Sequence, residues 1–327
     1  MYIRPEQILE QYEIEVKSIS KGRDCFLCET NLGTKALKEY RGSKERAKFL
    51  ARMLVFLKEK NLVVEQIIFT KEEEPVSLDE EEQKYLLMDT FRGAECDTKS
   101  RGDMICAVKL LAALHNASEE FEGDEVPEFV KMNPDALLLL YEKHNRELRQ
   151  VKNYIRSRKK KNEFEEMFAR QYDNFFKKAD AVTEKLRKMN PDQSLTGFCH
   201  GDFNQHNIIF AKEGPAIVNF VNFSYHIRVG DLANFIRKMM EKNNWNEELG
   251  IELIKSYENV RKLEKQELSY LYFYLAYPEK FWKIANHYNQ SHKAWLSGRN
   301  IEKLTNVIAQ EDARERFLQI LFQFIAE

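Results

Sequence analysis

The sequence lacks the long apolar runs and the charge excess that would direct a protein to a membrane or to nucleic acid. No stretch approaches the roughly 20 apolar residues that cross a bilayer, and the opening MYIRPEQILEQYEIEV is charged throughout, unlike a signal peptide. The 51 Lys and Arg residues nearly balance the 53 Asp and Glu residues, leaving a net charge of −2. We therefore expect a cytoplasmic protein with no membrane and no nucleic-acid partner.

Cysteine is also scarce. The five cysteines are scattered, and an odd number without an export signal predicts reduced thiols. Cys25 and Cys28 have the spacing of a zinc ligand pair, but no second pair accompanies them. The surrounding DCFLCET favours a β-strand over a metal site.

The N-terminal third has the pattern of a small sheet with one main helix. Residues 12–40 predict a three-stranded meander, and residues 43–60 have helical periodicity with Ser43 as the N-cap. Two further strands are expected at 66–70 and 84–90, separated by an acidic hairpin loop.

Beyond Gly93 the pattern becomes mostly helical. The longest helical segments are expected at residues 102–116, 135–161 and 163–189, and the C-terminal third is helical and rich in aromatic residues, including Trp295. Residues 207–211 and 216–220 predict a short hairpin around Lys-Glu-Gly-Pro. A β-rich front and a helical rear indicate an α+β fold.

The segment HGDFNQHN, residues 200–207, has the residues that phosphoryl transfer needs. Asp202 can orient an acceptor hydroxyl and take its proton, and Asn207 offers a neutral oxygen ligand for Mg²⁺. The hairpin that follows can deliver a third ligand from Asn219. This combination is the strongest functional signal in the chain.

The loop resembles the catalytic loop of the aminoglycoside phosphotransferase and choline kinase group of protein-kinase-like folds. A closer resemblance is to CotS-type spore-coat proteins, carried by four segments: GTKALKEY, YLLMDTFRGAECD, LLAALHNAS and YLAYPEKFWKIANHYNQSHKAW. The resemblance implies two lobes, with residues 1–92 as a nucleotide-binding lobe, a hinge at about 86–94, and residues 93–327 as a helical lobe carrying the catalytic-type loop 200–220. It also implies ATP and Mg²⁺ as cofactors.

The resemblance places Asp202 at the catalytic-base position, Asn207 at a metal-ligand position and Lys38 at the strand lysine that steadies the nucleotide phosphates. The alternation of side chains along a β-strand supports this role for Lys38. Ala36 and Lys38 lie on the same face of the expected strand, where the Lys38 ammonium can meet phosphate. An ordinary exposed lysine is the alternative.

Three further residues are assigned to the nucleotide by the same resemblance. Glu45 is the candidate for the helix glutamate that pairs with Lys38, with Glu39 as an alternative. The backbone between Met88 and Thr90 resembles the hinge that hydrogen-bonds an adenine edge.

One position departs from the family pattern at the metal. The hairpin of active relatives ends in a carboxylate bound to Mg²⁺, and Asn219 stands here instead. An amide oxygen brings no charge, so Mg-ATP catalysis is expected to be weakened or lost. The G-x-G-x-x-G pattern is also missing from Ser-Lys-Gly-Arg-Asp, although aminoglycoside-type enzymes lack a strict glycine loop.

Two functions stay open at this point. One is a degenerate kinase-like protein that binds spore-coat proteins and is made in the mother cell, and the other is an active ATP-dependent kinase acting on a hydroxylated acceptor. The basic run at residues 156–161 could contact an acidic polymer, but the neighbouring glutamates favour a solvated helix face.

Overall fold

The computed structural model describes residues 4–123, 126–190, 192–290 and 298–326. His292 and Trp295, with the end of the last family-like segment, lie outside these residues. The helices have the following bounds: α1 Pro5–Leu9, α2 Lys44–Glu59, α3 Arg101–Glu119, α4 Ala136–Ser157, α5 Glu163–Arg187, α6 Val229–Lys242, α7 Glu247–Glu258, α8 Lys265–Ala276, α9 Glu279–Gln290, α10 Gly298–Ala309 and α11 Glu311–Ala326.

The strands are shorter than the helices and lie mostly in the first part of the chain. Their bounds are β1 Val16–Lys21, β2 Phe26–Thr30, β3 Gly33–Tyr40, β4 Val63–Val64, β5 Ile67–Ile68, β6 Ser77–Leu78, β7 Lys84–Asp89, β8 Gly93–Glu95, β9 Thr196–Cys199, β10 Ile208–Ala211, β11 Gly214–Ile217 and β12 Ser224–Ile227. The α+β class expected from the sequence is confirmed.

Two sheets position most of the residues of the predicted site, which lie in their strands or in the adjoining turns. The larger is antiparallel, in the order β1-β2-β3-β7-β5 with β6 also paired to β7. The smaller has the order β4-β11-β10-β8, in which β4 runs parallel to β11. Register pairs Lys38 with Leu86 and Ala36 with Met88, so these four side chains share one face of the larger sheet.

The chain divides into two compact units. The first contains residues 1–131, 197–225 and 256–261, and the second contains residues 132–196, 226–255 and 262–327. The core of the first unit includes Leu37 and Leu87 from the larger sheet together with Ile8 and Leu9 of α1. The core of the second joins α4, α5, α9 and α10. The division into lobes near residue 92 stays a prediction.

Local signals in the sequence explain the helix ends. The Ser43 hydroxyl accepts a hydrogen bond from the Arg46 N–H at 3.2 Å, so Ser43 is the N-cap of α2 as predicted. Asn162 forms a capping box with Glu165 at the start of α5. The described part of the chain contains no helix that is long and apolar enough to cross a membrane.

Three strand predictions are wrong in detail. The strand expected at 66–70 is reduced to β5, and the acidic loop contains β6, which pairs with β7. The strand expected at 216–220 ends at Ile217, because Asn219 adopts a left-handed conformation with φ of 74°. Such a residue cannot continue a β-strand.

Candidate functional site

The loop that begins at His200 is held rigidly within the first unit. The buried His200 ring accepts from the Asp202 N–H at Nδ1, 3.2 Å away, and its Nε2 lies 3.0 Å from the Val218 carbonyl oxygen. Between them, Gly201 has φ of +80°, and a Cβ there would lie 2.1 Å from the Asn222 carbonyl oxygen. Only glycine fits this close approach.

Asp202 and Asn207 lie side by side, as the loop motif predicts. The Asn207 amide nitrogen donates to the Asp202 carbonyl oxygen at 2.8 Å and to its carboxylate at 3.3 Å. Asn204 adds a second amide donor to the same carbonyl at 2.9 Å and accepts from the His206 N–H. These bonds fix the orientation of the Asp202 carboxylate, which stays partly exposed.

Lys38 lies on β3 and pairs with a buried carboxylate. Its ammonium is 3.1 Å from Glu65 Oε2, and the two side chains are 13% and 1% exposed. Burial raises the pKa of the nearby Cys25 thiol, and the Lys38 charge acts in the opposite direction. Lys38 is therefore not an ordinary exposed lysine.

The expected pairing of Glu45 with Lys38 is wrong, because Glu65 occupies that position. Glu45 lies in the first turn of α2 with its side chain exposed. Its own backbone N–H and the Ser43 hydroxyl lower its pKa, as is usual for a carboxylate at a helix N-terminus. Glu39, the other candidate, pairs with Arg41 at 3.1 Å.

Glu65 also holds the backbone at Asn219. Its Oε1 accepts from the Asn219 N–H at 2.7 Å and from the Phe220 N–H at 2.9 Å. One carboxylate thus joins the lysine of β3 to the turn that should carry the metal ligand. The left-handed conformation suits asparagine, which tolerates positive φ better than most residues.

Helix α2 contacts the same turn through Arg46 rather than Glu45. The Arg46 guanidinium donates to the Phe223 carbonyl oxygen and, at 2.8 Å, to that of Phe129, and it lies 4.5 Å from the centre of the Phe223 ring. Phe49, one turn later, stacks on Phe223 at 6.0 Å. The helix and the segment after Asn219 therefore pack as one body in this unit.

Met88 and Thr90 lie where the hinge was expected. Met88 is buried in β7, paired with Ala36 of β3 and Ile67 of β5, and Thr90 is the first residue after this strand. Their contact with an adenine edge stays a prediction.

The residues expected to hold Mg²⁺ fit a hard dication poorly. Asn207 and Asn219 offer amide oxygens, and Asp202 is the one carboxylate that the motif places with them. Among the described residues, no group of three His, Cys, Asp or Glu side chains could hold a metal ion. The structure brings Asp202 and Asn207 together. The Val218 N–H donates to the Asn207 carbonyl oxygen, and Asn219 is the next residue in the chain.

Sequence reasoning missed Glu65, Arg46 and Asn204. The Asn-x-His spacing at 204–206 is a recognisable Asx turn and could have identified Asn204. Glu65 and Arg46 had no such signal, because their partners lie 154 and 177 residues away in the sequence.

Similarity to known proteins agrees with this geometry. The chain is 24% identical to spore coat protein S of Bacillus subtilis strain 168, over 94% of this chain and 89% of that protein. The crystal structure of an aminoglycoside phosphotransferase from Alicyclobacillus acidocaldarius has a TM-score of 0.83 at 17% identity, covering 100% of this chain and 97% of its own. AMP-bound spectinomycin phosphotransferase has a TM-score of 0.65 at 15% identity, with coverage of 97% and 96%.

The solved structures fall below the identity at which function is shared, so they show the fold alone. The kinase-like fold and the resemblance to spore-coat proteins, both expected from the sequence, are confirmed. The family model described as "Spore coat putative kinase YutH" matches residues 5–321, and the chain therefore belongs to that spore-coat kinase family.

Proposed function

We propose that this protein is a kinase-like component of the spore coat whose Mg-ATP catalysis is weakened or lost. The observation that supports the proposal is Asn219, which the family resemblance assigns to the metal-ligand position and which lies in a left-handed turn held by Glu65. Exchanging a carboxylate for an amide removes one unit of negative charge from a site that must attract a dication.

The surroundings of Asn219 favour a neutral side chain at this position. The Glu65 carboxylate lies against the backbone of the turn, with Oε1 on two N–H groups and Oε2 on Lys38. A second carboxylate at residue 219 would stand close to Glu65 and repel it unless a cation lay between them. With asparagine, the turn is stable without metal.

Nucleotide binding remains part of the proposal. Lys38 is ordered by its ion pair, and Met88 and Thr90 occupy the end of the strand where adenine would bind. The similarity to an AMP-bound phosphotransferase supports a nucleotide in this fold. We infer that ATP binds weakly and with little dependence on Mg²⁺.

The biological role then comes from binding rather than from turnover. The family description and the similarity to spore coat protein S support assembly with other spore-coat proteins in the mother cell. Such binding should survive Asp202→Ala, which would abolish a phosphotransferase.

Thermal unfolding with ATP, with and without Mg²⁺, tests the proposal, because a ligand that binds the native state raises its stability by mass action. The wild type should show a small shift that Mg²⁺ does not increase. Asn219→Asp should lower the stability of the ligand-free protein and gain a Mg²⁺-dependent shift. Asn222→Asp makes the same charge change on an exposed neighbour and should show neither effect.

A wild-type shift that requires Mg²⁺ would contradict the proposal. Equal behaviour of the Asn219→Asp and Asn222→Asp variants would contradict the assignment of residue 219 to the metal.

The second candidate is an active phosphotransferase, and the intact pairing of Asp202 with Asn207 favours it. It requires Asp202 to take a proton from a hydroxylated acceptor. Mass spectrometry after incubation with Mg-ATP and a panel of hydroxylated compounds, including the protein itself, should then detect a product that Asp202→Ala abolishes. No phosphorylated product across the panel would exclude it in favour of the first.

A further inference from the structure

The second unit contains a cavity of about 210 Å³ whose chemistry is that of a ligand site. Its lining comes from α5, α6 and the segment that follows it, the end of α8 with the start of α9, α10 and the start of α11. Trp245, Phe281, Pro278 and Val307 form apolar walls. The α8–α9 junction is the Tyr-Pro-Glu-Lys-Phe-Trp segment at 277–282, which the sequence marks as typical of the spore-coat branch.

Most of the charged side chains around the cavity are held in ion pairs. Glu311 forms a bidentate ion pair with Arg314. The Arg314 guanidinium also donates to the Leu275 and Ala276 carbonyl oxygens, each at 3.0 Å. Glu241 is shared between Arg237 at 3.0 Å and Lys280 at 3.1 Å. These groups form a fixed frame rather than free ligand contacts.

One cationic side chain of the lining, Lys303, has no ion-pair partner among the described residues. Four cationic side chains and three carboxylates line the cavity, and Lys303 of α10 makes no ion pair or hydrogen bond with any described residue. Asn306 lies one helical turn later on the same lining, and the described chain offers its side-chain amide no partner either. Both are exposed, so both can reach a ligand from solvent.

Trp245 contributes a hydrogen-bond donor to the cavity lining. Its side chain lines the cavity and the residue is only 4% exposed, yet within the described ranges nothing accepts a hydrogen bond from its indole N–H. The indole nitrogen is not among the fully buried polar atoms that lack a partner in the described chain, so it stays accessible and can donate to a ligand in the cavity that Trp245 lines.

We propose that this cavity binds a small organic carboxylate with an aromatic or other apolar body. The carboxylate oxygens accept from Trp245, Lys303 and Asn306, and the apolar part packs against Phe281 and Pro278. The volume suits a single ring, since a buried apolar cavity of about 150 Å³ is enough to hold benzene.

The charge of the ligand follows from the lining. One unpaired ammonium matches a monovalent anion, whereas a cation would meet Lys303 without a free carboxylate to balance it. This site does not depend on the chemistry of Asp202 or Asn219.

Calorimetric titration of the full chain with phenylacetate tests the proposal, with the uncharged phenylacetamide and the cationic benzylamine as matched probes. Phenylacetate should bind at least about tenfold more tightly than phenylacetamide, because hydrogen bonds to an ionised acceptor are the stronger ones. Benzylamine should not bind. Asn219→Asp should leave phenylacetate affinity unchanged, which separates this proposal from the one on nucleotide binding.

Two variants identify the donors. Lys303→Met should weaken phenylacetate about tenfold without affecting phenylacetamide, and Arg299→Met, the same charge change on α10 outside the lining, should affect neither. Trp245→Phe keeps an aromatic side chain, though a smaller one, loses the N–H and should weaken both probes.

The proposal would be overturned by either of two results. One is that phenylacetate does not bind at millimolar concentration or binds no better than phenylacetamide. The other is that Lys303→Met and Arg299→Met behave alike. The Lys303 comparison keeps the test decisive if the Trp245 variant fails to fold.

Discussion

Glu65 is the residue whose replacement tests the site most directly. Its carboxylate is 1% exposed and binds three donors, namely the Lys38 ammonium at 3.1 Å and the N–H groups of Asn219 at 2.7 Å and Phe220 at 2.9 Å. Glu65→Ala removes both carboxylate oxygens that accept these hydrogen bonds. It leaves a mostly buried cation and two N–H groups without partners.

The expected loss of stability is large for a single substitution. Removing one partner of a buried ion pair costs about 3–5 kcal/mol, and a hydrogen bond to a charged group contributes about 1.5–3 kcal/mol. These terms overlap, so we expect Glu65→Ala to lower the free energy of unfolding by about 4 kcal/mol. Glu65→Gln keeps a carbonyl oxygen for the two N–H groups but no charge for Lys38, and should cost about 2 kcal/mol.

Two measurements check these values. Denaturant unfolding gives the stability, and hydrogen exchange of a peptide that spans residues 216–223 reports the turn itself. Loss of about 3 kcal/mol of local protection in Glu65→Ala should speed exchange at Asn219 and Phe220 on the order of 100-fold. Glu128→Ala, which removes an exposed ion pair with Lys131 in the same unit, should cost less than about 1 kcal/mol.

A double-mutant cycle isolates the ion pair. Lys38→Met should be much less damaging when Glu65 is already Gln, because no buried charge is then left unpaired. Two results would refute the reasoning: strictly additive effects of the two substitutions, or unchanged exchange of the 216–223 peptide in Glu65→Ala.

The remaining predictions concern a buried histidine and a glycine. Burial lowers the pKa of His144 to about 4, with Glu147 opposing this and Lys143 and Lys283 adding to it, so folding favours the neutral ring. Its contribution, up to about 3 kcal/mol, is fully present above pH 6.5 and is lost as the pH falls towards 4, so the Tm of wild type should fall more steeply over this range than that of His144→Phe. Gly201→Ala should destabilise by more than about 2 kcal/mol in denaturant unfolding, because φ is +80° and the new Cβ meets the Asn222 carbonyl at 2.1 Å. Gly298→Ala, whose Cβ would have no atom of the described residues within 4 Å, should be neutral or slightly stabilising. Similar values for the two variants would refute this account.

The Asn219→Asp variant decides what limits metal binding. If it gains a Mg²⁺-dependent shift, the missing carboxylate limits the site. If it does not, residue 219 is not the metal ligand.

Elements whose causes are local could be predicted from the sequence. Helix α2 follows from its N-cap and apolar period, and the pairing of Asp202 with Asn207 follows from a spacing of five residues within one loop. Residues this close in sequence have few alternative arrangements, so pattern and geometry agree. The family and the departure at Asn219 were identified from the resemblance of the loop and of four segments to known proteins.

The partners of the functional side chains depend on the complete fold and could not be predicted from local patterns. The sequence alone allows either Glu45 or Glu65 to pair with Lys38. In the structure, parallel pairing of β4 with β11 brings residue 65 to the turn at Asn219, and residue 45 is exposed to solvent. The left-handed turn at Asn219 and the unpaired indole N–H of Trp245 likewise arise from contacts between distant segments. No local pattern encodes them, because the energy of a buried charge or N–H depends on which groups the completed fold places around it.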